Sequence, residues 1–119
     1  MKDIRLKEFP FELEGKTYML RCNMNVLADV QEAYDGYIGE ALAGSGTYKS
    51  LLHFLAAMLN DFADDVGWEE RWTAKQLGRR FALYELPKDE IMEIITSSII
   101  PDTKEDEAAG EEAPAETGN

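Results

Sequence analysis

The sequence predicts an α+β fold, with a small N-terminal antiparallel sheet of two or three strands followed by four or five packed helices. Three features carry that prediction. Apolar side chains alternate with polar ones between Phe9 and Cys22, which is the period of a half-buried strand. From Asn23 to Ile100 the spacing changes to three and four residues, the period of a helix. From Pro101 onward the only hydrophobic residues are alanines, so no further element is expected. The predicted organisation is a single domain over residues 1–100 and a disordered acidic tail over 101–119.

In the first stretch Phe9, Phe11 and Leu13 alternate with Pro10 and Glu12, Glu14-Gly15 interrupts, and Tyr18, Leu20 and Cys22 alternate with Thr17, Met19 and Arg21. This reads as a hairpin, with Gly15 supplying the positive φ of a tight turn and Pro10 restricting the first strand to an edge or bulge. Ile4 and Leu6 lie on the opposite parity from Phe9 and suggest a third strand or a bulge near Lys7. Asn23 is placed as an N-cap for a helix carrying Val26, Leu27, Val30, Ala33, Tyr34 and Tyr37 and ended by Gly36. A short helical turn at Ile38–Leu42 then leads to an Ala43-Gly44-Ser45-Gly46 loop. Thr47 or Ser50 caps the longest helix, which ends near Asp64 or Gly67.

That helix places Leu51, Leu52, Leu55, Leu59, Phe62 and Val66 on one stripe and Phe54, Ala57 and Met58 elsewhere on its circumference. A helix apolar nearly all round is central or covered by a partner, and self-association is therefore expected. Thr73 caps a further helix with Leu77, Phe81 and Tyr84. Pro87 opens the last one, with Ile91, Ile94, Ile95, Ile99 and Ile100, and Pro101 stops it.

Charge and chemistry exclude several classes of function. Asp and Glu number 24 against 12 Lys and Arg, a net charge of −12, which disfavours binding to a phosphate backbone. The tail holds Asp102, Glu105, Asp106, Glu107, Glu111, Glu112 and Glu116 against Lys104 alone. The start of the chain has no apolar leader, and Leu51–Leu59 is far shorter than the roughly 18 residues of a membrane span, so a soluble, unexported protein is expected. One cysteine, Cys22, excludes an internal disulfide and reads as a buried inert thiol.

The single His53 lies among Leu51, Leu52, Phe54 and Leu55 and reads as a packed histidine, so neither a catalytic set nor a cofactor site is expected. The acids Asp61, Asp64, Asp65, Glu69 and Glu70 fail the calcium-loop spacing, since twelve-residue loops from Asp61 and Asp64 end at Trp72 and Lys75. Gly44-Ser45-Gly46 lacks the spacing of a phosphate-binding loop. The segment Thr73–Phe81, with Lys75, Arg79 and Arg80, is compatible with a short DNA-recognition helix and supplies the alternative functional reading, a small DNA-binding or other adaptor domain that uses this basic helix.

The segments Phe11-Glu12-Leu13-Glu14-Gly15-Lys16-Thr17-Tyr18-Met19-Leu20-Arg21 and Asn23–Gly36 resemble the opening of tail assembly chaperones of long-tailed bacteriophages and prophages. In that family a Gly-Lys-x-Tyr-x-Leu-Arg hairpin precedes an Asn-x-Leu…Glu-x-Tyr/Phe-Gly helix, here with Asp35 interposed before Gly36. A short Leu-x-Glu-Ala-Leu turn is matched loosely by Ile38–Leu42, a Leu-rich helix by Leu51–Leu59, and a Thr-x-x-x-Leu-Gly helix by Thr73–Gly78. The serial order, over about residues 9–100, is more specific than any single motif. The connection Asp64–Trp72 is longer than is usual in the family and brings in Trp68 and Trp72.

The resemblance implies a non-catalytic chaperone in the bacterial cytoplasm, outside the mature virion, that binds the tape measure protein and keeps it soluble until the tail tube polymerises around it. It implies the major tail protein as a further partner and homo-oligomerisation in the course of the work. No membrane or nucleic acid is implied. From residue chemistry, Trp68, Trp72, Phe54, Met58 and Tyr48 are the candidate partner contacts, because large aromatics and Met anchor adaptable interfaces.

Overall fold

The computed structural model describes residues 7–44 and 47–99. Strands β1 (Phe9–Leu13) and β2 (Lys16–Leu20) are followed by α1 (Met24–Ala33), α2 (Ile38–Ala43), α3 (Tyr48–Val66), α4 (Ala74–Arg80), a 3-10 turn at Leu83–Glu85 and α5 (Lys88–Ile99). The architecture is α+β, over the described residues a two-stranded hairpin with five α-helices. The third strand expected at Ile4 and Leu6, the tail at 101–119, Ile100 and the Ser45-Gly46 part of the linker lie outside the described residues.

The hairpin is antiparallel, with Leu13 opposite Lys16, Phe11 opposite Tyr18 and Phe9 opposite Leu20. A two-residue loop joins the strands, and both of its residues have positive φ, 56° at Glu14 and 76° at Gly15. That is the type I′ turn whose twist matches the strands. Gly15 adopts it freely, whereas Glu14 bears a left-handed cost of about 1–2 kcal/mol. Counting from the hydrogen-bonded pair Leu13–Lys16, Pro10 falls on a non-hydrogen-bonded position opposite Met19, where a missing N–H removes nothing from the ladder. One face, with Phe11, Leu13, Tyr18 and Leu20, is buried, and Glu12 and Thr17 on the other are exposed.

The helices begin where side chains can cap them. Asn23 accepts the Val26 N–H at 3.0 Å and donates its amide to Asp61 at 2.7 Å, so one residue starts α1 and ties it to α3. Thr47 caps α3 through the Ser50 N–H, and Thr73 and Gln76 form a reciprocal capping box at α4. Helix α1 ends earlier than its apolar spacing suggests. Asp35 and Gly36 both turn left-handed, at φ 56° and 88°, which redirects the chain and leaves Ala33 and Tyr37 exposed instead of on the buried stripe.

Helix α3 is the axis of the domain. Ser50, Leu51, Phe54, Leu55, Ala56, Ala57, Met58, Leu59 and Ala63 are all buried on it, and α1, α4, α5 and β2 pack around it. Its breadth of apolar surface is thus covered by the chain's own elements. The buried hydroxyl of Ser50 is paired with the Tyr34 hydroxyl at 2.7 Å. Gly67, at φ 85°, ends the helix, and the N–H groups of Gly67 and Trp68 both reach the Ala63 carbonyl. Tyr84, expected on the Thr73 helix, is instead 87% exposed on the 3-10 turn, because α4 stops at Arg80 and Phe81 turns extended to rest its ring 5.8 Å from that of Phe11.

The turn geometry gives a direct test. A Cβ at position 15 meets no neighbouring atom, so Gly15→Ala is strained by conformation alone. It should lower the unfolding free energy by about 1 kcal/mol or more, read from urea melts, with the far-UV spectrum of the folded protein unchanged.

Candidate functional site

Trp68 and Trp72, four apart, allow either a helical turn that presents both indoles to a partner or a seal over the core between α3 and the Thr73 helix. In the structure residues 68–73 are irregular, with no helical turn, and both indoles are half-buried. Trp68 stands edge-on to Tyr18, with ring centroids 5.2 Å apart, and to Phe62 at 5.6 Å, while the Lys16 ammonium lies 4.8 Å over its face. Trp72 donates its indole N–H to the Tyr18 hydroxyl at 3.3 Å and lies beneath the Arg80 guanidinium. Its backbone is held from both sides by Asn60, which accepts the Trp72 N–H at 2.8 Å and donates to its carbonyl at 2.9 Å. The tryptophans close the core where the hairpin meets the far end of α3.

The other candidates do not join them. Phe54 and Met58 lie inside the core of α3, and Tyr48 sits at its first turn, half-exposed under the Lys88 ammonium. A 19-residue helix separates Tyr48 from the tryptophan end by about 27 Å. The five residues therefore form no single surface.

The structure does form a concave apolar surface elsewhere. Met24, Leu27, Ala28 and Gln31 of α1, Ile38 and Leu42 of α2, and Ser98 and Ile99 of α5 line a groove of about 330 Å³. Met24 is 76% exposed and Ile99 45%. From the sequence Leu27 is grouped with the Val26–Val30–Tyr34 stripe of α1, and Met24 and Ala28 beside it are passed over. Met24, Leu27 and Ala28 stand at i, i+3 and i+4, which is the signal that marks the groove wall.

Asp29 of α1 stands among other acids. Asp29 has its pKa raised by partial burial first and then by Glu32, Asp61 and Asp64. Its charged form is therefore less favourable in the folded protein than in the unfolded one. His53 is shifted the other way, below its ordinary value, by partial burial and by Lys49, with the Tyr34 ring 5.5 Å away. Cys22 is buried, and burial pushes its thiol pKa up, so it is a poor nucleophile.

Among the described residues no group of three or more His, Cys, Asp or Glu side chains is placed to hold a metal, and no helix is long and apolar enough to cross a membrane. The basic helix α4 has seven residues, and its Arg80 is engaged with Glu14 at 2.6 Å as well as with Trp72.

Two outcomes follow from this geometry. Trp68→Ala and Trp72→Ala should each cost about 2–4 kcal/mol in chemical denaturation, as expected for removal of a large, half-buried aromatic, and the double variant should melt early. Asp29→Asn should raise the melting temperature at pH 7, where wild type holds an unfavourable charge. With a folded pKa above 3.8, that advantage shrinks as pH falls through the raised value and is gone below 3.8, which paired melts at pH 7 and pH 3.5 resolve.

Comparison with protein families, with curated proteins and with solved structures finds no match to this chain.

Proposed function

We propose that this chain is a tail assembly chaperone of a long-tailed bacteriophage or prophage, binding the tape measure protein and holding it soluble while tube subunits assemble around it. The observation that carries the reading is the serial order of motifs, considered together with the positions those residues occupy in the fold. Gly15 of the Gly-Lys-x-Tyr-x-Leu-Arg segment forms the hairpin turn, Asn23 caps α1, Gly36 ends it, and Thr73 caps α4. The residues that carry the resemblance are those on which the element boundaries depend.

On this reading the protein acts by binding in the host cytoplasm, without catalysis, and associates with further copies of itself and with the major tail protein. The self-association rests on the resemblance alone, because the apolar circumference of α3 is already covered within the chain. The DNA-binding alternative gains no support from α4, where one of three cations is committed to an acid of the hairpin.

Co-expression supplies the test. The tape measure protein encoded beside this gene, expressed alone, should collect in the insoluble fraction. Together with this chain its soluble fraction should rise several-fold, and the two should co-purify. A tape measure protein that remains insoluble and unbound overturns the proposal.

A further inference from the structure

The groove between α1, α2 and the end of α5 combines two properties that single out one kind of occupant. Its lining is apolar apart from Gln31 and Ser98, and its volume of about 330 Å³ lies within the roughly 300–1,000 Å³ of ligand-sized clefts. Both helices that form its walls belong to a strongly anionic stretch. Between Cys22 and Tyr48 the chain carries Asp29, Glu32, Asp35 and Glu40 and no cation. Glu32 stands one turn beyond the groove residue Ala28. Asp35 adjoins Gly36, whose carbonyl accepts the amide of the groove residue Gln31 at 3.1 Å.

Ile99 lines the groove, and the chain that continues from it through residues 101–119 carries seven acids against one lysine. That segment has no apolar side chain larger than Ala with which to fill the groove itself. A second copy of the chain, also at −12, is repelled from so anionic a surface.

We propose that this groove binds a cationic amphipathic helix of a partner protein, whose apolar face packs on Met24, Leu27, Leu42 and Ile99 and whose basic residues complement the net negative charge of the α1–α2 stretch. Helix-in-groove recognition uses apolar anchors at i, i+3, i+4 and i+7, and Met is suited to such surfaces because its flexible thioether adapts to differently shaped side chains. The net negative charge of the chain speeds the encounter and selects the sign of the partner's charge, while the apolar floor supplies most of the retention. The proposal goes beyond the tape measure reading, since it names a surface and the chemistry it takes without depending on which protein presents the helix.

The probe is a fluorescein-labelled 18-residue peptide of Leu and Lys with its leucines on one helical face, titrated with the full chain and followed by anisotropy. Two controls accompany it, a scrambled peptide of the same composition that has no apolar face and a Leu/Glu peptide of the same pattern. Expected is saturable binding of the Leu/Lys helix, weaker at high salt, with at least tenfold weaker binding of both controls. Met24→Lys combined with Ile99→Lys, at positions exposed enough to leave the fold intact by circular dichroism, should weaken it by more than tenfold.

Equal binding of the scrambled peptide, or an unchanged affinity in the double variant, overturns the proposal. So does concentration-dependent self-association that the double variant abolishes, which assigns the groove to a second copy. Binding that arises only after removal of residues 1–6 assigns it to the chain's own first residues and overturns it as well. The peptide result and the co-expression result are independent, so failure of one leaves the other standing.

Discussion

A helix that is apolar on most of its circumference has to be enclosed, and in this protein that requirement organises everything else. Along α3 the buried side chains run from Ser50 to Ala63 and point to more than one side. Each large one stabilises the fold by about 1.5–3 kcal/mol only if water is kept from it. The hairpin supplies Tyr18 and Leu20, α1 supplies Val26 and Val30, α4 supplies Leu77, and α5 supplies Ile91, Ile94 and Ile95 to one continuous core. The peripheral elements are short, and none has enough apolar surface to persist alone. Their stability is borrowed from the central helix, as its burial is from them.

Where two covering elements meet, polar groups do the joining. Asn23 starts α1 while its amide holds Asp61 on α3, and Asn60 clasps both backbone groups of Trp72. Tyr18 packs its ring against both Phe62 and Trp68, which also touch each other, and accepts the Trp72 indole N–H. Half-buried amides used in this way fix positions that apolar contacts alone would leave free to slide, since a hydrogen bond is directional and an unmade one costs more than a made one gains. The long connection after α3 is thus a fastened strap across the hairpin end of the core.

The sequence made much of this legible, for reasons that can be named residue by residue. Period-two alternation and Gly15 located the hairpin, and Asn23, Thr73 and the pair Thr47 or Ser50 announced helix starts because such short side chains can accept from the backbone N–H three residues on. Glu14 in the left-handed region was invisible, since nothing about a glutamate suggests that conformation until its partner strand sets the loop at two residues. The packing that half-buries Trp68 and Trp72 was equally hidden, because it depends on Tyr18 arriving from a distant part of the chain. The groove escaped for a related reason. Its walls come from α1, α2 and α5, and no single helix shows that three modest apolar stripes converge. The covering of α3 by its own chain likewise needed the tertiary arrangement to be seen.

The fastening of the hairpin by Trp72 bears on how the chain leaves the ribosome. Tyr18 and Trp72 are 54 positions apart. At about 5–20 residues per second, roughly 3–10 s pass between the synthesis of one and the other. Until α3 and then Trp72 have been made, the apolar face of the hairpin, with Phe11, Leu13, Tyr18 and Leu20, is incompletely covered, and a two-stranded hairpin offers two unpaired edges to any neighbouring nascent chain. The pace of translation between Leu20 and Thr73 therefore bears directly on yield, so that synonymous slowing there should enlarge the fraction lost to aggregation even though the finished protein is identical.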